Sequence, residues 1–150
     1  MQFINVILLS LSTMLFPLRE VKTTAPINKG DLTVSIKNFK NTKGQIGILI
    51  FNQETGFPSQ QDKAMKDILL PITGKTMEHT FKDLPYGKYA VTVMHDENKN
   101  RVLDKNLFGI PKEGYGTSNN VIPKMAPPKF GKAAFQFQKN GQSIQINLRY

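Results

Sequence analysis

The chain has 150 residues, 39% of them hydrophobic and 21% charged, which is enough for one compact domain with a real core. Twenty Lys and Arg against 11 Asp and Glu give a formal charge of +9, but the cations are scattered singly, with no run of five and no arginine-rich helix. That distribution argues for a solvated basic surface and against a nucleic-acid footprint. Cysteine is absent, which excludes a disulfide framework, a thiolate metal site, a cysteine nucleophile and a lipid-modified amino-terminal cysteine.

The amino terminus differs in kind from the rest. "FINVILLSLSTMLFPL", Phe3 to Leu18, is almost wholly apolar and runs into the polar "REVKTTAPINKGD". It is shorter than the roughly 20 apolar residues a membrane span needs, and Asn5, Ser10, Ser12, Thr13 and Pro17 interrupt it. The expectation is a signal peptide and linker over residues 1–26 and a single β-sandwich domain over 27–150, exported to the periplasm or secreted, with no stable membrane span after signal removal.

Past the linker, short β-like runs alternate with Gly, Pro, Asn and Asp. "DLTVSIKNF" sets Leu32, Val34 and Ile36 on one face; "GQIGILIFN" does the same with Ile46, Ile48 and Ile50, and Gly44 falls between them, so the two are expected to pair as a hairpin. "SQQDKAMKDILLPI" holds the one candidate short helix or loop, stopped by Pro71. "TMEHTFKDL" and "YAVTVM" are expected to pair next, with Tyr89, Val91 and Val93 on one side. "AAFQFQKNGQSIQINLRY" alternates Phe135 and Phe137, then Ile144, Ile146 and Leu148, around an Asn140-Gly141 expected to form a two-residue type I′ turn with both residues at positive φ. Six or seven strands without an internal repeat predict an all-β fold, a two-sheet antiparallel sandwich with at most a short helix. One long loop, Asp104 to Lys129, stands apart, since loops of that length usually carry function or are pinned by something.

"FKDLPYGKYAVTV", Phe81 to Val93, resembles the Phe-x-x-Leu-Pro-x-Gly-x-Tyr pattern of transthyretin-like and collagen-adhesin B-type sandwich domains, in which the Leu84-Pro85-x-Gly87 turn feeds a strand whose aromatic, Tyr89, packs in the core. Together with "GQIGILIFN", "GFP", "LDKNLFGIPKEGYGTSNN" and "FGKAAFQFQ", it is similar to a family of exported bacterial proteins, domain of unknown function 2141, over about residues 30–149. The resemblance implies a prealbumin-like β-sandwich of about seven strands outside the cytoplasm, and no established reaction. The family pattern commonly has Gly after the second Asn of its acidic loop, where this chain has Arg101.

That loop, "HDENKNRVLDKN", gathers acids and amides in a basic chain. Counting Asp96 as position one, side-chain oxygens of Asp96, Asn98, Asn100 and Asp104 and the carbonyl of Val102 fall at one, three, five, nine and seven, the first part of an EF-hand-type calcium loop. Leu107 occupies position twelve, where a bidentate Glu should stand, and Glu113 in the returning loop is the available replacement. A weak calcium site is one reading; a metal-free loop closed by Asx turns is the other.

An enzyme reading would use His95 with Asp96 as base and orienting carboxylate and Ser118 of "GTSNN" as nucleophile, but neighbours on a strand face opposite ways and Ser118 lacks a nucleophile elbow. His79, between Met77 and Phe81, reads as a cross-strand surface residue. The glycines of "FGIPKEGYGTSN" lack the following helix a phosphate loop requires, and Phe108 and Tyr115 serve either a recognition surface or a cap on the sandwich's open end. The sequence thus predicts an exported binding or accessory module for an envelope or extracellular ligand, protein or glycan, with no cofactor beyond the calcium of the first loop reading. The alternative is a cell-envelope hydrolase using the 95–120 region. Exposed aromatics beside the long loop would favour the first; a pocket holding His95, Asp104 and Ser118 within hydrogen-bond reach would favour the second.

Overall fold

A computed structural model describes residues 28–122 and 126–150, so the expected signal segment lies outside the described residues. Eight strands, β1 (Lys29–Lys37), β2 (Gln45–Phe51), β3 (Lys66–Pro71), β4 (Thr76–Pro85), β5 (Gly87–Asp96), β6 (Gly114–Thr117), β7 (Phe135–Phe137) and β8 (Gln142–Asn147), form two sheets. One has the order β4-β1-β8 and the other β3-β2-β5-β6, with β7 also paired to β5. Their inner faces meet in one core, where Leu32, Val34 and Ile36 of β1 face Ile46, Ile48 and Ile50 of β2 and Tyr89, Val91 and Val93 of β5, with Phe81, Leu84, Phe137, Ile146 and Leu148 completing it. The period-2 alternation read from these strands is the alternation observed, and the fold is the all-β, two-sheet sandwich it implied.

The pairing differs from expectation. β1 and β2 are not a hairpin: β1 pairs with β4 and β2 with β5, both antiparallel. β4 and β5, separated by Tyr86 alone, lie in opposite sheets, and so do β7 and β8. One pair, β1–β8, is parallel, so the sandwich is not wholly antiparallel. The reason is physical: alternation specifies which face of a strand is buried, but both sheets bury into the same core, so it does not choose the neighbour.

Local details follow from these crossings. Asn140 and Gly141 make no type I′ turn; Gly141 has φ 71, but Asn140 is not at positive φ. Instead the Asp31 amide donates to Asn140 Oδ1 (2.7 Å) and the Gly141 amide to the Asp31 carbonyl (2.9 Å), docking the link onto β1. Gly87 is likewise not left-handed; Asp83 is, at φ 53. Tyr89 is buried as the resemblance implied, its hydroxyl donating to the Pro85 carbonyl at 2.8 Å. The segment read as a short helix or loop yields a single 3-10 turn, Gln61–Lys63, and then β3, because Ile68 and Leu70 reach the core at a spacing of two while pairing with the exposed edge of β2. A short helix, α1 (Phe130–Ala133), precedes β7.

Candidate functional site

The acidic loop is built around two buried carboxylates. Asp96, the last residue of β5, is fully buried; its Oδ1 accepts the Asn100 amide (3.0 Å) and its Oδ2 the amides of Arg101 (2.9 Å) and of the Gln45 side chain (2.8 Å). Glu113, just before β6, accepts the Glu97 amide at Oε1 (2.8 Å) and the Asp104 amide at Oε2 (3.0 Å), stapling the two ends of the loop. Each carboxylate is thus stabilised in the interior by N–H donors rather than by a cation. The remaining oxygens are also engaged: Asn98 Oδ1 accepts the Asn100 amide and Asn100 Oδ1 the Val102 amide, while both side-chain amides donate to Asp104. These are Asx turns in series. Lys99 (φ 63) and Arg101 (φ 64) adopt the left-handed conformation, Arg101 doing so at the position where an EF-type loop has glycine. Of the six candidate ligands, Asp96, Asn98, Asn100 and Asp104 are joined in one network, Glu113 braces its base, and Val102 is exposed. Among the described residues no group of three or more His, Asp or Glu side chains is disposed to hold a metal.

The residues of the enzyme reading do not converge. His95 is fully buried; its Nε2 lies 2.7 Å from the Lys43 carbonyl, which can only accept, so Nε2 carries the proton and Nδ1 accepts from the Tyr150 hydroxyl at 2.6 Å. Tyr150 in turn accepts the Lys40 amide (3.0 Å). Burial of that hydroxyl, with a smaller push from the Glu97 carboxylate, raises the Tyr150 pKa against the opposing pull of the Lys40 amide. Ser118 stands beside Val91, between the parts of β5 paired to β6 and to β7; its hydroxyl accepts the Val91 amide (2.9 Å) and donates to the Ala133 carbonyl (2.6 Å). Asn119 and Asn120 extend this clamp, donating to the Lys132 and Ala134 carbonyls and to the Gln145 carbonyl. "SNN" therefore satisfies backbone groups where ladders are interrupted.

What sequence reading missed lies on the outer face of the β3-β2-β5-β6 sheet. Cross-strand register places Asp67, Leu49, Thr92 and Thr117 in one outward row and Leu69, Gly47, Met94 and Tyr115 in the next. Both rows floor a cleft of about 820 Å³, bounded on one side by Pro58 and Gln61, on another by Ala126, Pro127 and Pro128, and roofed by Arg101–Leu103, Lys105 and Phe108–Pro111. The roof is a small hairpin in its own right: the Asn106 amide donates to the Ile110 carbonyl and the Lys112 amide to the Asp104 carbonyl, each at 2.8 Å, and Asn106 Oδ1 accepts the Phe108 and Ile110 amides. It hangs from the Asp96–Glu113 staple and presents Leu107, Phe108 and Ile110 to solvent, Phe108 being 87% exposed. Thr117, on the floor, is 4% exposed, and its hydroxyl is the one buried side-chain polar atom among the described residues without a hydrogen-bond partner. A signal for this cleft was present: "QIGILIF" is apolar on both parities, which a strand covered on both faces requires.

A two-sheet β-sandwich bearing a ligand-sized apolar cleft, its roof fixed by buried carboxylates, defines the class of molecule. The chain belongs to the family described as uncharacterized protein conserved in bacteria, domain of unknown function 2141, whose model matches residues 34–145. No curated protein and no solved structure matches it significantly.

Proposed function

We propose that the protein is an exported binding or accessory module whose ligand site is the cleft on the outer face of the β3-β2-β5-β6 sheet. The observation that carries this reading is the exposed apolar tip, Leu107, Phe108 and Ile110, held on a preorganised hairpin over an apolar floor. Exposing such side chains on a rigid support is unfavourable in a domain that has nothing to bind, and the cleft volume falls in the range of small-molecule sites. No helix among the described residues is long and apolar enough to cross a membrane. The test is fluorescence titration with the uncharged probe N-phenyl-1-naphthylamine. Leu49→Lys should abolish binding and Phe108→Ser should weaken it about 3- to 10-fold with the melting temperature of the latter unchanged, since removing one buried aromatic contact costs on the order of 1 kcal/mol. Equal binding by the parent and Leu49→Lys proteins would rule the cleft out.

A second reading, a weak calcium site over Asp96, Asn98, Asn100, Val102 and Asp104, is favoured by one observation. Asp96 accepts the amides at positions five and six with Arg101 left-handed, the backbone path an EF-type loop follows. A cation would have to displace the Asn98 and Asn100 bonds to Asp104, and Glu113 is committed to two amides, so the dissociation constant is expected no tighter than about 10⁻⁴ to 10⁻³ M. Calorimetric titration to about 10 mM calcium, with an Asp96→Ala, Asp104→Ala control, tests it. Absence of both heat and thermal stabilisation in the parent protein leaves the Asx-turn loop alone.

A further inference from the structure

We propose that the cleft takes a free, single-chain anionic amphiphile, an acyl chain ending in a carboxylate, with the carboxylate at the Thr117 end. The inference rests on the binding-module reading and adds the ligand's chemistry and direction. Three observations carry it. The first is the orphaned Thr117 hydroxyl: a buried hydroxyl left unpaired is unfavourable, and a ligand oxygen on the floor would remove that penalty. The second is the distribution of charge around the cleft. Among the described residues its charged lining ones are Asp67, Arg101 and Lys105, and Asp67 already accepts from the Gln61 side chain. Among the described residues the one side-chain ion pair is Lys63–Asp62, so Arg101 and Lys105 face the cleft without a carboxylate partner.

The third observation is polarity along the floor. Asp67 and Thr117 stand at opposite ends of one row, separated by Leu49 and Thr92, which is three interstrand spacings of about 4.8 Å, or about 14 Å. An anion is repelled from the Asp67 end and finds an unused donor at the Thr117 end; between them the floor offers Leu49 and Met94 to a hydrocarbon chain. The Thr92 hydroxyl between the two ends is already donated to the Pro58 carbonyl at 3.0 Å, so of the two threonines in this row Thr117 is the one left to meet the headgroup, with Tyr115 of the same strand beside it. The positive field of the whole chain, +9 formally, favours approach of the same charge.

The experiment compares dodecanoate, dodecanol and dodecyltrimethylammonium, each below its micelle concentration, as competitors for N-phenyl-1-naphthylamine on the full protein. Dodecanoate should bind at least 10-fold tighter than the cationic chain and several-fold tighter than the alcohol. Thr117→Val, nearly isosteric, should weaken dodecanoate about 3- to 10-fold, and Thr117→Ser, which restores the hydroxyl, should recover it. Arg101→Gln with Lys105→Gln should abolish the preference for the anion over the cation. Equal affinity for all three headgroups overturns this inference while leaving the cleft a site for apolar chains. Binding of none of them, with the probe also unbound, overturns both. Unchanged dodecanoate affinity in folded Thr117→Val overturns the assigned direction, and probe displacement by phosphatidylglycerol vesicles but not by monomeric dodecanoate would make the partner a bilayer and overturn the proposal.

Discussion

Three polar residues that stood out in the sequence as chemistry, His95, Ser118 and Asp96, are in the structure hydrogen-bonding devices for backbone groups outside the strand ladders. His95 ties the crossing between β1 and β2, through the Lys43 carbonyl, to the carboxyl-terminal Tyr150. Tyr150→Phe leaves Nδ1 of a buried imidazole without a donor and the Lys40 amide without an acceptor, so it is expected to lower stability by about 1–2 kcal/mol in urea denaturation. The same substitution has a pH signature. Burial raises the pKa of both Tyr89 and Tyr150, so each hydroxyl proton is held more tightly folded than unfolded. Their contribution is complete below the unfolded tyrosine value of about 10 and is lost as pH rises through the folded values. The urea midpoint should therefore decline above about pH 10, and more shallowly in Tyr150→Phe than in the parent; identical slopes would detach Tyr150 from that decline.

Among the strands, sequence reading succeeded on faces and failed on partners. Every core residue it named on β1, β2 and β5 is buried, because a strand covered by a common core must alternate whatever it pairs with. The three expected hairpins are all crossings, and the first carries a local clue. The link from β1 to β2 spans seven residues, Asn38 to Gly44, longer than the two to five usual in a hairpin. Gly44 within it is left-handed (φ 75) and so close to the Asp96 backbone that no side chain fits, which records docking of the link against β5 rather than a tight turn. The Asn140-Gly141 signal failed because Asn140 spends its side chain on the Asp31 amide, a tertiary contact no local rule weighs. The acidic loop was expected either to hold calcium or to close by Asx turns; what ties its base is Glu113, which joins it from across the returning chain.

The two sheets also close on each other along one side, where Tyr115 and Arg149 exchange both main-chain bonds at 2.9 Å. Gly116 makes that approach possible: a Cβ there would lie 2.6 Å from Ile146 Cγ2 and 3.1 Å from the Asn147 carbonyl oxygen of β8. Gly116→Ala must push β6 away from β8, and because β6 also floors the cleft through Tyr115 and Thr117, it should cost about 1–3 kcal/mol in denaturation and weaken probe binding together. A variant with unaltered stability and binding would show that the closure is not what holds the floor.

Composition, the strand alternation and the turn residues were sufficient to specify an all-β sandwich with a single core, since burial of apolar faces is a property each strand carries by itself. Which strands adjoin, where β1 and β8 run parallel, and that Thr117, Leu49 and Asp67 share one row are relations between segments up to 110 positions apart, as from Leu32 to Gln142. Backbone hydrogen bonding, which supplies those relations, is the same for every residue and so leaves little trace in side-chain pattern. The cleft is made of those relations, so the sequence signals that β2 is covered on both faces, while the tertiary structure alone decides what covers it.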